Sequence, residues 1–329
     1  MPLKPLTVAA LLVLAAALPA AARTTAAAYK SAIATDAATG AVLFEDNADA
    51  VSPPASMTKL MTYAVLDDLI KLGKIALDTP VLVTKEDAKV AALPDSTEVW
   101  LRQGETFPVE ELIYAMMIQS ANDAAYALAQ KAGGSAAAFV ALMNLKAHDL
   151  GMVRSTFRSP NGFPPPSRRV AEGDLTTPRD YALLCRYLLL HTEILKYTSV
   201  KSRPFGAGVR ALPVVMNNHN HLLGRIPGVD GLKTGFSSGA GFCLSATALR
   251  NGHRVIVVMM DSPDQKTRDL NVRQVLDEAF VRMPVAEAPF APGAGGPTPV
   301  PTPLAVPASP TRPAPDAGGP VITLPGSGK

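Results

Sequence analysis

Hydrophobic periodicity changes twice along this chain, and the order of those changes limits the folds open to it. Residues 28 to 46 alternate with period two. AYKSAIATD runs out, Ala38-Thr39-Gly40 turns the chain, and AVLFED returns, which is a hairpin pattern. The period then becomes helical. Leu60, Met61, Ala64, Val65 and Leu69 predict a helix over 56–72, ended by Gly73. Further helices are predicted over 108–118, 121–132, 135–150 and 177–190. Pro108 and Pro178 fall in first turns, Thr177 stands as a cap, and Glu110 and Glu111 lie near a positive helix end. Only two short strands, 81–84 and 96–102, are predicted in this stretch. The last third returns to strands at 229–236, 241–249 and 254–260, with Asn251-Gly252 as a hairpin turn, and closes on an amphipathic helix over 264–282. Strands at both ends with helices between them predict an α+β layered fold around a mostly antiparallel sheet.

The two ends of the chain read differently. Lys4 precedes a short apolar run, Leu6 to Leu18, and Ala20-Ala21-Ala22 follows, the pattern of a cleaved secretory signal. The run is shorter than the ~20 residues that span a bilayer. An uncleaved N-terminal anchor is the alternative. After Met283 the chain becomes rich in Pro, Gly, Ala and Thr, with about a dozen of its 30 prolines, and cannot build a core. The expected organisation is a signal peptide at 1–22, one catalytic domain at 23–283 and a disordered tail at 284–329. The expected location is outside the inner membrane, periplasmic or otherwise associated with the cell envelope.

Charged residues make up 18% of the chain and the formal net charge is +3, with no block of like charges, so no nucleic-acid partner is expected. Cys185 falls in a helical apolar pattern and Cys243 in a strand-like one. Two buried free thiols are expected rather than a disulfide.

Three short motifs carry chemistry. Ser56-Met57-Thr58-Lys59 sets a hydroxyl and an amine one helical turn apart, on one face. Lys59 can take the Ser56 proton only when neutral, which requires burial or a neighbouring cation. Ser120-Ala121-Asn122 lies at a helix junction and supplies a second hydroxyl and an amide that donates and accepts. The same S-x-N spacing recurs at Ser159-Pro160-Asn161, but there it precedes Asn161-Gly162 and reads as a turn. Lys233-Thr234-Gly235 lies on a predicted strand. Its cation and hydroxyl suit a carboxylate, Gly235 leaves room for a peptide, and Phe236 brings a backbone N–H. Each motif is near chance alone. S-x-x-K arises about once in a few hundred residues.

Together and in this order, the three resemble the motif set of penicillin-binding proteins and serine β-lactamases. PASMTK at 54–59, QSANDA at 119–124 and DGLKTG at 230–235 are similar to the low-molecular-mass D-Ala-D-Ala carboxypeptidases, over roughly residues 28–283. The resemblance implies a five-stranded, mostly antiparallel sheet flanked by helices, with an all-helical subdomain. It implies catalytic roles for Ser56, Lys59 and Ser120, and substrate binding by Asn122, Lys233, Thr234, Gly235 and Phe236. It implies an oxyanion hole from the N–H groups of Ser56 and Phe236. The implied activity removes the terminal D-Ala from peptidoglycan stem pentapeptides through an acyl-enzyme, with β-lactams as covalent inhibitors and no cofactor or metal.

This sequence departs from that pattern in places. Many relatives add a β-rich domain and an amphipathic anchor helix. Here the Pro-rich tail follows instead, which leaves membrane attachment open, and the tail reads as a plain linker, with a spacer or docking strip as the alternative. Asn218-His219-Asn220-His221 has His219 where some relatives carry Arg, and Ser237 stands where Thr is common.

Other readings share these residues. A DD-endopeptidase uses the same groups on cross-links. A β-lactamase needs a further base, for which Glu172 is the acid in the matching region. A zinc enzyme would use the H-x-H pair His219 and His221, without further ligands at characteristic spacing. A non-catalytic wall-binding scaffold would not need the intact motif residues that are present.

Overall fold

A computed structural model describes residues 28–283. The expected signal segment and Pro-rich tail lie outside the described residues.

The elements follow the order predicted from periodicity. Strands β1 (Ser31–Asp36) and β2 (Val42–Asp46) form the first hairpin. A 3-10 turn, Ala55–Thr58, leads directly into helix α1 (Lys59–Lys71). Then come β3 (Pro80–Leu82), α2 (Lys85–Ala91), β4 (Thr106–Pro108), α3 (Val109–Tyr114), α4 (Asn122–Gly133) and α5 (Ala136–Asp149). Helices α6 (Pro178–His191) and α7 (Ile194–Thr198) precede the small hairpin of β5 (Ser202–Phe205) and β6 (Val214–Asn217). Strands β7 (Val229–Ser237), β8 (Gly241–Arg250) and β9 (His253–Ser262) complete the main sheet, and α8 (Gln265–Arg282) closes the domain. Side-chain caps start several helices: Thr84 on α2, Ser135 on α5, Thr177 on α6 and Asp264 on α8.

The main sheet has the order β2-β1-β9-β8-β7, with every pair antiparallel. Its first and last strands are sequence-distant, which pulls both ends of the domain into one layer. Strand β9 reads VIVVMM because both of its faces are covered. Ile256, Val258 and Met260 face the large helical core, while Val255, Val257 and Met259 face α8. Helix α8 buries Val272, Val275, Leu276 and Ala279, an i, i+3, i+4, i+7 stripe. Helix α1 is buried along nearly its whole length, against α4, α5 and α6.

Three expectations change. The stretch 96–102 is not a strand. The backbone N–H groups of Val99 and Leu101 go instead to the buried Asp123 carboxylate, so these two residues fill the core from an irregular loop while Trp100 is exposed. Helix α2 was not foreseen. The predicted helix over 108–118 divides into α3 and a π-helical turn, Ala115–Gln119. The helical side also carries two small two-stranded sheets, β3–β4 and β5–β6. Cys185 and Cys243 are buried free thiols, as expected.

Candidate active site

The three motifs, distant in sequence, meet where the 3-10 turn docks on β7. Gly235 makes that contact possible. A Cβ there would lie 2.4 Å from the Pro54 carbonyl oxygen and 3.3 Å from the Met57 nitrogen. The Pro54 carbonyl also accepts from Met57 N–H at 3.2 Å, closing the turn that carries Ser56. Because β7 is the terminal strand of the sheet, its outer side is available to an extended peptide.

A cavity of about 290 Å³ opens at this junction. Its lining includes Ser56, Ser120, Thr234, Gly235 and Phe236, and also Thr97, His219 and Arg268. Phe236 is exposed and stacks on Phe242, with ring centroids 4.2 Å apart. Lys59, Asn122 and Lys233 are buried in the wall behind.

Lys59 is 0% exposed, and its Nζ has three partners. Ser56 Oγ lies at 3.0 Å, Asn122 Oδ1 at 2.7 Å and the Asn161 carbonyl at 2.8 Å. A neutral amine has two N–H donors and one lone pair. The amide oxygen and the carbonyl can only accept, so they take the two donors. The lone pair then faces the Ser56 hydroxyl, which can donate. Burial holds the Lys59 pKa well below the usual lysine value, helped by the Lys233 charge. Asp123 and Asp174 oppose this. The geometry and electrostatics therefore favour a lysine able to accept a proton from serine.

Ser120 owes its place to the π-helical turn. The turn ends with Ser120 in the left-handed region, φ 64°. The chain reverses there, Ala121 N–H reaches back to the Ala115 carbonyl at 3.2 Å, and the serine side chain borders the cavity. Asn122 then opens α4. Its Nδ2 donates to Ser96 Oγ at 3.1 Å, which fixes the amide so that Oδ1 meets Lys59.

Basic side chains border the cavity. Burial, reinforced by Arg268, lowers the Lys233 pKa to about 7. His219 is lowered to about 4, by burial first and then by Lys233, Lys59, His221 and Arg268. Gln265 Nε2 contacts His221 Nδ1 beside it. Such a field suits an anionic group at the β7 wall.

The structure brings all eight predicted site residues together. It adds Asn161, which had read only as a turn, and Arg268. A signal for Arg268 was present: it falls on the buried stripe of α8, one turn before Val272, where an arginine demands a reason. Glu172 is exposed, bonded to Ser167 Oγ and Arg169, and outside the cavity lining, so it does not serve the β-lactamase reading. His219 and His221 lie in the loop after β6. Among the described residues no group of three or more His, Cys, Asp or Glu side chains is placed to hold a metal ion.

Comparisons with known proteins point to one family. D-alanyl-D-alanine carboxypeptidase DacF of Bacillus subtilis is 32% identical over 251 residues, covering 76% of this chain and 62% of the relative. The chain thus spans less than two thirds of that relative's length. A D-alanyl-D-alanine endopeptidase of Pseudomonas aeruginosa is 33% identical over 238 residues, covering 70% of this chain and 71% of its own. The crystal structure of penicillin-binding protein D2 from Listeria monocytogenes, in an ampicillin-bound form, superposes with a TM-score of 0.68 at 31% identity, covering 79% of this chain and 100% of that one. Residues 18–264 match the model of a family described as D-alanyl-D-alanine carboxypeptidase. With three quarters of its length inside that match, the chain belongs to the D-alanyl-D-alanine carboxypeptidase family.

Proposed function

We propose that this protein is a serine DD-carboxypeptidase that removes the terminal D-Ala from peptidoglycan stem pentapeptides in the cell envelope. The observation that carries the reading is the Lys59 amine, buried and 3.0 Å from Ser56 Oγ, with its other two positions held by pure acceptors. In this reading Lys59 takes the Ser56 proton as the serine oxygen attacks the penultimate D-Ala carbonyl. The N–H groups of Ser56 and Phe236 hold the developing oxyanion. Lys233, Thr234 and Arg268 hold the terminal carboxylate, and Asn122 orients the peptide against β7. The C–N bond breaks as the proton passes through Ser120 to the departing D-Ala amine. An ester on Ser56 remains. Water then attacks it, Lys59 accepting the water proton and passing it to the departing Ser56 oxygen, which restores both groups.

β-Lactams fit the same site, because they carry a strained amide beside a carboxylate and acylate the same serine. The relative bound to ampicillin supports this. Residue chemistry at the scissile bond is the same for a DD-endopeptidase, and the Pseudomonas relative gives that second reading its support. Among the described residues no helix is long and apolar enough to cross a membrane.

One assay separates these activities. The protein is incubated with a stem pentapeptide, a cross-linked muropeptide and a β-lactam, and products are followed by mass spectrometry. A carboxypeptidase releases D-Ala from the pentapeptide and holds the drug as a lasting adduct. Faster cleavage of the cross-link would make it an endopeptidase. Rapid release of hydrolysed drug would make it a β-lactamase.

A further inference from the structure

Two stretches far apart in sequence must meet at Lys59. One is the nucleophile's turn and the start of α1. The other is the loop Arg158–Gly162, whose Asn161 carbonyl accepts from Lys59 Nζ at 2.8 Å. The loop is pressed against the turn with no side chain between them. A Cβ on Gly162 would lie 1.9 Å from the Ala55 carbonyl oxygen and 3.0 Å from Thr58 Oγ1. Apart from the Lys59 amine itself, the fold must supply something that holds this contact in register.

Asp174 touches both sides of it. One oxygen accepts from Arg158 N–H at 2.6 Å and Ser159 N–H at 2.9 Å. The other accepts from Thr58 Oγ1 at 2.8 Å and Ser159 Oγ at 3.0 Å. Thr58 is the residue before Lys59. Ser159 Oγ accepts in turn from Gly162 N–H at 2.8 Å. Thr62 Oγ1 adds a parallel tie to the Pro160 carbonyl at 2.5 Å. A carboxylate has four lone-pair sites, and all four are used here. An amide in its place offers one oxygen and two unwanted donors.

We propose that Asp174 is a positioning residue for the Ser56–Lys59 pair: its carboxylate clamps Thr58 to the Arg158–Gly162 loop and so sets the Asn161 carbonyl against the Lys59 amine. The role rests on the reading of Lys59 as the base. It is not a water-activating role, since every oxygen lone pair of Asp174 is already engaged. The charge has its own effect. Lys59 faces Lys233 from β7, Asp123 from α4 and Asp174 from the segment before α6. Asp174 favours the ammonium form, against burial and Lys233. Burial also raises the pKa of Asp174 itself.

Two variants separate the clamp from the charge. Thr58→Val removes one tie and leaves the carboxylate. Asp174→Asn removes the charge and breaks the clamp. Two readouts are followed between about pH 4 and pH 10: the acylation rate by a labelled penicillin, and the Lys59 titration by 15N-lysine NMR. Thr58→Val should slow acylation about tenfold with its acid limb unmoved. Asp174→Asn should slow acylation at least as much, and should move both the acid limb and the Lys59 titration to lower pH by about half a unit or more. Folded Thr58→Val that acylates at the wild-type rate overturns the proposal. So does Asp174→Asn that only reduces the fraction of active enzyme, with rate per active site and Lys59 titration unchanged. Failure of the DD-carboxypeptidase reading looks different: wild-type protein would take no penicillin on Ser56, while the NMR comparison would still report on Asp174.

Discussion

Lys59 Nζ lies 3.0 Å from Ser56 Oγ, and the residue that supplies it is wholly buried. A buried amine beside a second lysine loses its proton more readily than a solvated one, which suits it to act as a base. Lys59→Ala should slow acylation by a labelled penicillin by about 10³-fold, the usual scale for a general base. Lys59→Arg should be equally slow, because arginine keeps the charge and cannot give up its proton. A fast Arg variant would assign the base to another group.

Lys233 sets the opposite limb of the pH profile. Its pKa is lowered to about 7, so its cation is present below that pH and is lost as pH rises through it. Carboxylate capture should weaken on the alkaline side. The profile of kcat/KM, which reports free-enzyme groups, should rise as Lys59 deprotonates and fall near pH 7. Lys233→Arg, charged throughout, should move the descending limb upward by more than about one unit. A wild-type profile that stays flat through about pH 9 would remove Lys233 from this role.

Gly235 joins the nucleophile's turn to β7. Adding a methyl group there forces it against the Pro54 carbonyl at 2.4 Å, so the turn or the strand must move. Overpacking of this kind costs about 1–3 kcal/mol. Gly235→Ala should lower the melting temperature by several degrees and slow acylation more than tenfold, because the displaced atoms belong to the turn that holds Ser56. Wild-type values for both would show that the turn has slack.

The motifs were legible because their chemistry is local. Ser56 and Lys59 share one turn, and Lys233 to Phe236 share one strand. What joins them was not legible. The reversal at Ser120 depends on a π-helical turn that no residue pattern in 115–119 announces. Asn161 acts through its backbone carbonyl, which any residue possesses, so its side chain gave only a turn signal. Asp174 was passed over for Glu172, because its bonds to Thr58 and Ser159 exist only after the chain has folded. The strands and long helices followed from periodicity. The stretch 96–102 misled because Val99 and Leu101 are buried at strand-like spacing while their N–H groups serve Asp123. There a tertiary carboxylate replaced a neighbouring strand.

The two cysteines offer a check on the core. Both thiols are buried, and burial raises each to about 12. Neither should react with a thiol reagent in the native protein at neutral pH, and both should react after denaturation. Added reductant should leave the melting temperature unchanged. A drop in stability on reduction would mean that the two are paired.

The central claim concerns Ser56 as the covalent nucleophile. The most direct measurement is mass spectrometry of the protein after exposure to a labelled penicillin, with peptide mapping, for wild type and Ser56→Ala, alongside D-Ala release from a stem pentapeptide. The account predicts one adduct on wild type, mapped to Ser56, and neither adduct nor D-Ala release with the variant. An adduct on the Ser56→Ala protein, or D-Ala release by it at the wild-type rate, would contradict the account.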